Sequence, residues 1–406
     1  MQLKWIPGRR RFTLLALALL LVAAAAAAGP AAAGAQTSPG AVFTETNNIP
    51  NEILVFPRNA DGTLGAPTAV QTGGVGRPDA NPPTAFPALD SAGPVELTSD
   101  GDNRRCLFAV NAGDDSVSSF RVTRGGAVLA DREPTNGSRP ASLTSTQRGP
   151  NNRVLYVLNS DFGTASIQGY YVSSACMLTQ IPGSFHPTTS PDSIPAQISF
   201  NHHGSVLAVS ERFAFGLGDI DLFPVDNRGV AGPPAAKPSV GITPYGLAWT
   251  NRDQLTVSNE TIPTFASTVS SYQLTKDGNL AFISDAPSPG AACWNVITDN
   301  QKFLYVANAV GHSIEGFRVT PEGQLIPLSP APEGNTTYFA IDEALSHDSA
   351  YLYALSTSLT PSPLIGSAPG ASAIEEFKID RETGLLTHLG TVVVPNGGST
   401  SGLAGW

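Results

Sequence analysis

Cysteine is nearly absent from this chain: three in 406 residues, an odd number that cannot all pair within one molecule. So few exclude a disulfide-dense scaffold, and without a C-x-x-C or a His/Cys pair nothing points to a metal. Histidine is scarce too, at six. Basic residues are in deficit, 23 Lys+Arg against 33 Asp+Glu, and an acidic surface repels phosphate backbones. Nucleic acid and anionic membranes are therefore poor partners. Neither a G-x-x-x-x-G-K-[ST] phosphate loop nor a G-x-S-x-G nucleophile turn occurs, so no cofactor is implied. Long helical patterns are also missing. The 40 Gly, 34 Pro and 8% aromatics describe many tight turns between short strands.

The N-terminal segment reads as a targeting signal. Lys4, Arg9, Arg10 and Arg11 precede an apolar run over 13–28, and Ala33-Gly34-Ala35 fits an A-x-A cleavage site. This predicts a signal peptide over 1–35 and a mature domain over 36–406. Arg9-Arg10-Arg11-Phe12 fits an ordinary n-region and a twin-arginine signal equally well. A secreted or periplasmic protein is expected, with no stable membrane insertion after cleavage. Losing the leader's cations leaves 19 Lys+Arg and a net charge near −14.

Beyond the leader one unit recurs. Leu155-Tyr156-Val157-Leu158-Asn159, then Ser166-Ile167-Gln168-Gly169-Tyr170-Tyr171-Val172, then Met177-Leu178-Thr179 reappear in order as Leu304-Tyr305-Val306-Ala307-Asn308, Ser313-Ile314-Glu315-Gly316-Phe317-Arg318-Val319 and Gly323-Gln324-Leu325. The anchors Leu107, Leu155, Leu207, Leu255, Leu304 and Leu352 recur at spacings of 48, 52, 48, 49 and 48. Alternation of apolar with polar or small residues marks half-buried strands, and Asp61-Gly62, Asp277-Gly278 and Glu322-Gly323 mark hairpins. With a further strand before each anchor, every unit has four, named a to d. A period near 50 with four strands predicts an all-β, seven-bladed β-propeller. The chain enters at strand b of one unit (41–46) and ends on a lone a strand (401–406), so the C-terminal strand should pair into the N-terminal blade and close the ring.

Cys106 and Cys176 fall at corresponding ends of neighbouring repeats, so a bridge is conceivable, but three buried thiols acting as small hydrophobes is the preferred reading. Insertions at 73–92, 185–194 and 357–372, and long b–c connections at 212–218 and 260–267, all belong to the face that carries the d–a and b–c loops. This is the mouth, and loops on a rigid scaffold are where binding usually resides.

The last residue of each b strand forms a ring at the mouth: Thr46, Asn111, Asn159, Glu211, Asn259, Asn308 and Ser356. The asparagines read first as turn caps and second as ligand contacts. Glu211 alone among them can act as acid, base or nucleophile. Glu260 is a second carboxylate nearby, Arg212 and Arg139 are candidate cations, and His186 is the candidate base. Tyr245 and Trp294 lie where rings could line the channel or fill core.

These repeats resemble the lactonase-like seven-bladed propellers, a family that includes propeller-type 6-phosphogluconolactonases and carboxymuconate cyclases. The resemblance rests on the YVTN-type strands Leu155–Asn159 and Leu304–Asn308, each followed by I-x-x-[FY]-x-V, and spans essentially the whole mature chain. It implies a Glu at the end of a strand b, with His and Arg around the mouth. Glu211 matches the Glu. The His position corresponds to Arg139-Pro140-Ala141-Ser142-Leu143 and the Arg position to Pro195-Ala196-Gln197-Ile198, which hold neither. The expectation is an exported, monomeric propeller binding a small ligand (a lactone or organic acid) or a protein partner at its mouth. The alternative is a lactone hydrolase or muconate-type cycloisomerase with Glu211 as acid/base. A pocket joining Glu211 to a His or Arg would favour the enzyme; a mouth plugged by Trp294, Tyr245 and the 73–92 insertion would favour binding or structure.

Overall fold

The computed structural model describes residues 40–78, 89–98, 105–123, 126–148, 153–190, 192–212, 217–261, 264–358, 371–395 and 399–406. The leader, residues 79–88 of the first insertion, 213–216, 262–263 and 359–370 lie outside the described residues. What is described is an all-β ring of seven four-stranded antiparallel sheets. Blade 1 runs Ser401–Gly405, Gly40–Glu45, Glu52–Arg58, Thr68–Gln71 from axis to rim, so the last strand of the chain does complete the first blade. Thr44 Oγ1 donates to the Gly402 carbonyl (2.6 Å), Trp406 N to Ala41 (2.9 Å), and Leu403 N to Asp342 of blade 7 (3.0 Å), fastening the seam.

The repeat has a physical cause. Strand b lies second from the axis and is packed on both sides, so Arg153–Asn159 and Phe303–Asn308 are buried throughout. All six anchor leucines are fully buried. The tyrosine that follows three of them reaches the next blade. Tyr156 donates to Gly229 O (2.8 Å), Tyr305 to Gly384 O (2.7 Å) and Tyr353 to Gly62 O (2.8 Å), each at a c–d turn. A buried phenol needs such a partner, and here the bond fixes the spacing of adjacent blades.

Two expectations are corrected. Cys106 and Cys176 form a disulfide, their Cα atoms 5.6 Å apart, and only Cys293 is a free, buried thiol. The bridge joins the start of strand b in blade 2 (Arg105–Asn111) to the c–d turn of blade 3, on the face opposite the mouth. His186 does not sit in a loop. Strand d of blade 3 is split, and its second piece, His186–Pro187, pairs with Ile167 and Ser166.

Candidate functional site

Residues 89–92, the end of the first insertion, lie across the channel mouth. Ser91 Oγ donates to Ala141 O (2.6 Å), Ala92 N to Ala196 O (3.0 Å), and Trp294 Nε1 to Ser91 O (3.0 Å). These partners belong to the innermost strands of blades 3, 4 and 6, Pro140–Gln147, Ile194–Phe200 and Ala292–Ile297, so the segment lies across the axis. Leu89, Ser91 and Ala92 are buried.

Arg212 holds the plug. It ends strand b of blade 4 (Val206–Arg212) and donates to Asp90 Oδ2 (3.0 Å), Asp90 O (2.8 Å) and Ile194 O (3.0 Å). Its guanidinium also lies 4.7 Å from the centroid of the Tyr245 ring, whose hydroxyl donates to Asp90 Oδ1 (3.2 Å). Tyr245 in turn meets Trp294 edge-on at 5.1 Å. Glu260 is buried in the same cluster. Burial, then Asp90, push its pKa up to about 7, with Arg212 opposing.

Strand alternation turns Glu211 the other way, toward blade 3. It is fully buried, accepting from Thr189 Oγ1 (3.2 Å) and Ser190 N (3.3 Å). Thr189 also binds Asp221 through its hydroxyl (2.6 Å) and amide (2.7 Å). Burial first, then the charge of Asp221, raise Glu211 to about 7. Among the described residues no arginine or histidine bonds to it. Glu211 and Arg212, adjacent in sequence, therefore serve different sites.

The other ring members are internal. Asn111 is fully buried; its amide donates to Ser116 (3.0 Å) and Ser118 (2.8 Å) and its oxygen accepts from Thr72 (2.7 Å) and Asn51 (3.1 Å). Asn259 binds Thr268, Ser270 and Ser239 likewise, Asn308 binds Ser313 and Ser288, and Asn159 reaches Thr135 O and Ser166. A glycine lies flat on three of these amides: a Cβ on Gly74 would stand 2.3 Å from Asn111, one on Gly137 2.5 Å from Asn159 and one on Gly241 2.1 Å from Asn259. His186 Nε2 is bonded to Ala231 O (2.9 Å) of blade 4, away from Glu260 and Arg212.

Arg139 sits at the edge of the plug, donating to Leu89 O (3.0 Å) and Ser160 O (3.1 Å). Beside it an open cleft of about 440 Å³ lies on the mouth face, lined by Arg77, Arg139, Asp115, Asp161 and the exposed Ile49. Arg77 is exposed, while Asp115 Oδ1 is held by Arg139 N (2.8 Å). Sequence reasoning missed Asp90, Asp221 and Arg77. Asp90 was signalled only as the single charge in an apolar, small-residue end of the insertion, and Asp221 only as an acid where blades 2 and 5 carry Ser118 and Ser270.

No protein-family model matches this chain, and no curated protein matches it by sequence. Solved structures do. It is similar to the periplasmic gluconolactonase of Pseudomonas aeruginosa, with a TM-score of 0.64 at 16% identity over 90% of this chain and 98% of that one. A provisionally named 6-phosphogluconolactonase from Bacteroides fragilis gives 0.59 at 18% identity, covering 91% and 98%. A hypothetical selenium-binding protein from Sulfolobus tokodaii gives 0.58 at 11%, covering 91% and 93%. What this chain shares with all three is a fold, the seven-bladed propeller.

Proposed function

We propose that this chain is an exported lactonase-like propeller that binds a small hydroxy acid on its mouth face, in the cleft beside the plug, rather than turning over a lactone at Glu211. One observation carries the reading: Arg212, the cation closest in sequence to Glu211, is bound to Asp90 of the segment that crosses the channel mouth. A lactone hydrolase or cycloisomerase needs an acid or base and a cation converging on one open site. Here Glu211 has hydroxyls and a second carboxylate for neighbours. The cleft offers what a hydroxy acid requires. Arg77, with Arg139 behind it, can receive the carboxylate, and Asp161 can accept from a hydroxyl.

The enzyme reading keeps one point in its favour, since a carboxyl lifted to about 7 is poised to donate a proton at neutral pH. A single experiment separates the two. Wild type, Arg77→Ala and Glu211→Gln are titrated calorimetrically with a panel of hydroxy acids and assayed against the matching lactones. Binding that weakens about tenfold in Arg77→Ala, a loss the size of one charge-assisted hydrogen bond, with no turnover in any variant, supports the binding protein. Hydrolysis above background that vanishes in Glu211→Gln overturns it, and so does a panel that does not bind at all. Export rests on the basic n-region, apolar run and small-residue site at the N-terminus; N-terminal sequencing of protein from the culture medium or periplasm should begin near Gln36.

A further inference from the structure

We propose that the face opposite the mouth carries a second binding site, a cationic cleft at blades 5, 6 and 7 that takes a phosphate-bearing anion. The proposal is independent of the mouth-face reading and uses none of its residues.

The cleft holds about 510 Å³, within the range of small-ligand sites. Its walls are the a–b turn of blade 5 with Arg252, the a–b turn of blade 6 with Lys302, the end of strand c of blade 6 with Arg318, and the c–d turn of blade 7 with Glu382. Three cations thus face one carboxylate, in a chain where acids outnumber bases.

The imbalance is built by the neighbouring acids, which are turned outward. Asp253, next to Arg252, is bound by Asn201 (2.9 Å) and faced by His203 (3.6 Å) of blade 4. Asp299, in the same turn as Lys302, is gripped by Arg381 of blade 7 at 3.0 and 3.1 Å. Arg252, Lys302 and Arg318 make no side-chain hydrogen bond or ion pair among the described residues. Unpaired like charges in one concavity repel, and an anion relieves that repulsion.

The walls are also fixed in advance. Gln254 Nε2 donates to Pro321 O (3.0 Å), Asn251 N to Gln301 Oε1 (2.8 Å) and Lys302 N to Asn300 Oδ1 (3.0 Å), so the turns need no ordering when a ligand arrives. Two guanidinium forks and an ammonium suit a tetrahedral dianion, which offers acceptors in several directions, better than a planar carboxylate, which offers two.

The full chain is titrated with inorganic pyrophosphate at low salt and, separately, sedimented with phosphatidylcholine vesicles with and without phosphatidylglycerol. Arg252→Ala, Arg318→Ala and Glu382→Gln are compared, and Arg77→Ala serves as the mouth-face control; unchanged melting temperatures verify folding. Pyrophosphate should bind once per chain, about tenfold more weakly for each arginine removed, more tightly in Glu382→Gln, and unchanged in Arg77→Ala. Binding to phosphatidylglycerol vesicles alone, with the same dependence on Arg252 and Arg318, assigns the phosphate to a lipid headgroup. If neither probe binds, or binding ignores both arginine substitutions, the proposal is overturned.

Discussion

At the mouth, the side chains of Arg212 and Arg139 donate to Asp90, Leu89, Ile194 and Ser160; on the opposite face, the side chains of Arg252, Lys302 and Arg318 donate to none of the described residues. The carboxylates differ in the same sense. Burial lifts Glu211 and Glu260 at the mouth to about 7, whereas turn hydrogen bonds lower Asp61, Asp226, Asp277 and Asp380 on the far side. The two faces come from one repeat, so the contrast must come from what was added to it. The c–d hairpins keep their exposed, self-capping aspartates. The end of one long d–a connection lies over the axis and pairs Asp90 with Arg212. A net charge of −10 averages over these faces and describes neither.

The largest effect should follow from breaking the buried pair. Arg212→Ala leaves Asp90 with the Tyr245 hydroxyl but no cation and removes the side-chain donor to the Ile194 carbonyl, and losing one partner of such a pair costs about 3–5 kcal/mol. The lower end is expected, because the Asp90 side chain is 30% exposed and water can reach it. Arg318→Ala on the open face should cost less than about 0.5 kcal/mol. Urea titration of both variants checks the contrast, and equal losses would erase it. The far face has its own fastening in the Cys106–Cys176 bridge, which closes a separation of 70 residues. Cys106→Ala with Cys176→Ala should cost about 2–4 kcal/mol in the same titration. A loss near zero would mean the blade contacts alone hold that seam.

The two sets of carboxylates also bracket a pH optimum. Glu211 and Glu260, with folded pKa values of about 7 against 4.5 unfolded, bind protons more tightly when folded, so the stability they contribute is full below 4.5 and is lost as pH rises through 7. Asp342, raised to about 8 by burial beside the axis, extends that loss upward. The hairpin aspartates act in reverse: their contribution is present above the unfolded value of 3.8 and is lost as pH falls below it. Melting temperature should therefore peak near pH 4–5 and decline by several degrees toward pH 8 (about 1 kcal/mol or more for a domain this size). A flat profile from pH 5 to 8 would show that the mouth carboxyls are hydrated rather than buried.

The ring was legible because strand periodicity and the leucine anchors are set by burial within each blade, and burial writes itself into every copy. Closure by residues 401–406 followed from the same count. What lay between blades was harder to read. The disulfide depends on the Ser173-to-Met177 turn, with Cys176 at a φ of 62°, swinging back onto blade 2, and no spacing encodes that swing. His186 resembled a free base because the break in strand d is invisible to period-2 alternation. Tyr245 and Trp294 stood out as rings near the channel, but Asp90 as the partner of Arg212 did not: a single acid among small residues has no pattern until Arg212 stands opposite it.

Glu211 remains the sharpest place to test the comparison, because its neighbours in the ring show what a purely structural residue does there. Asn111 and Asn259 both donate within their own blade and accept from the blade before, which an amide can do and a carboxylate cannot. Glu211 and Asp221 share the Thr189 hydroxyl, and burial together with the Asp221 charge favours a proton on Glu211. Glu211→Gln supplies that donor permanently. At pH 8 the variant should be more stable than wild type by about 1 kcal/mol, the worth of one hydrogen bond, and at pH 5 the difference should shrink toward zero because the wild-type acid is then already protonated. Stability lost at both pH values would mean that the ionised carboxylate is itself required, which is what a catalytic base held at a cost would show, and would return the mouth of blade 4 to the enzyme reading.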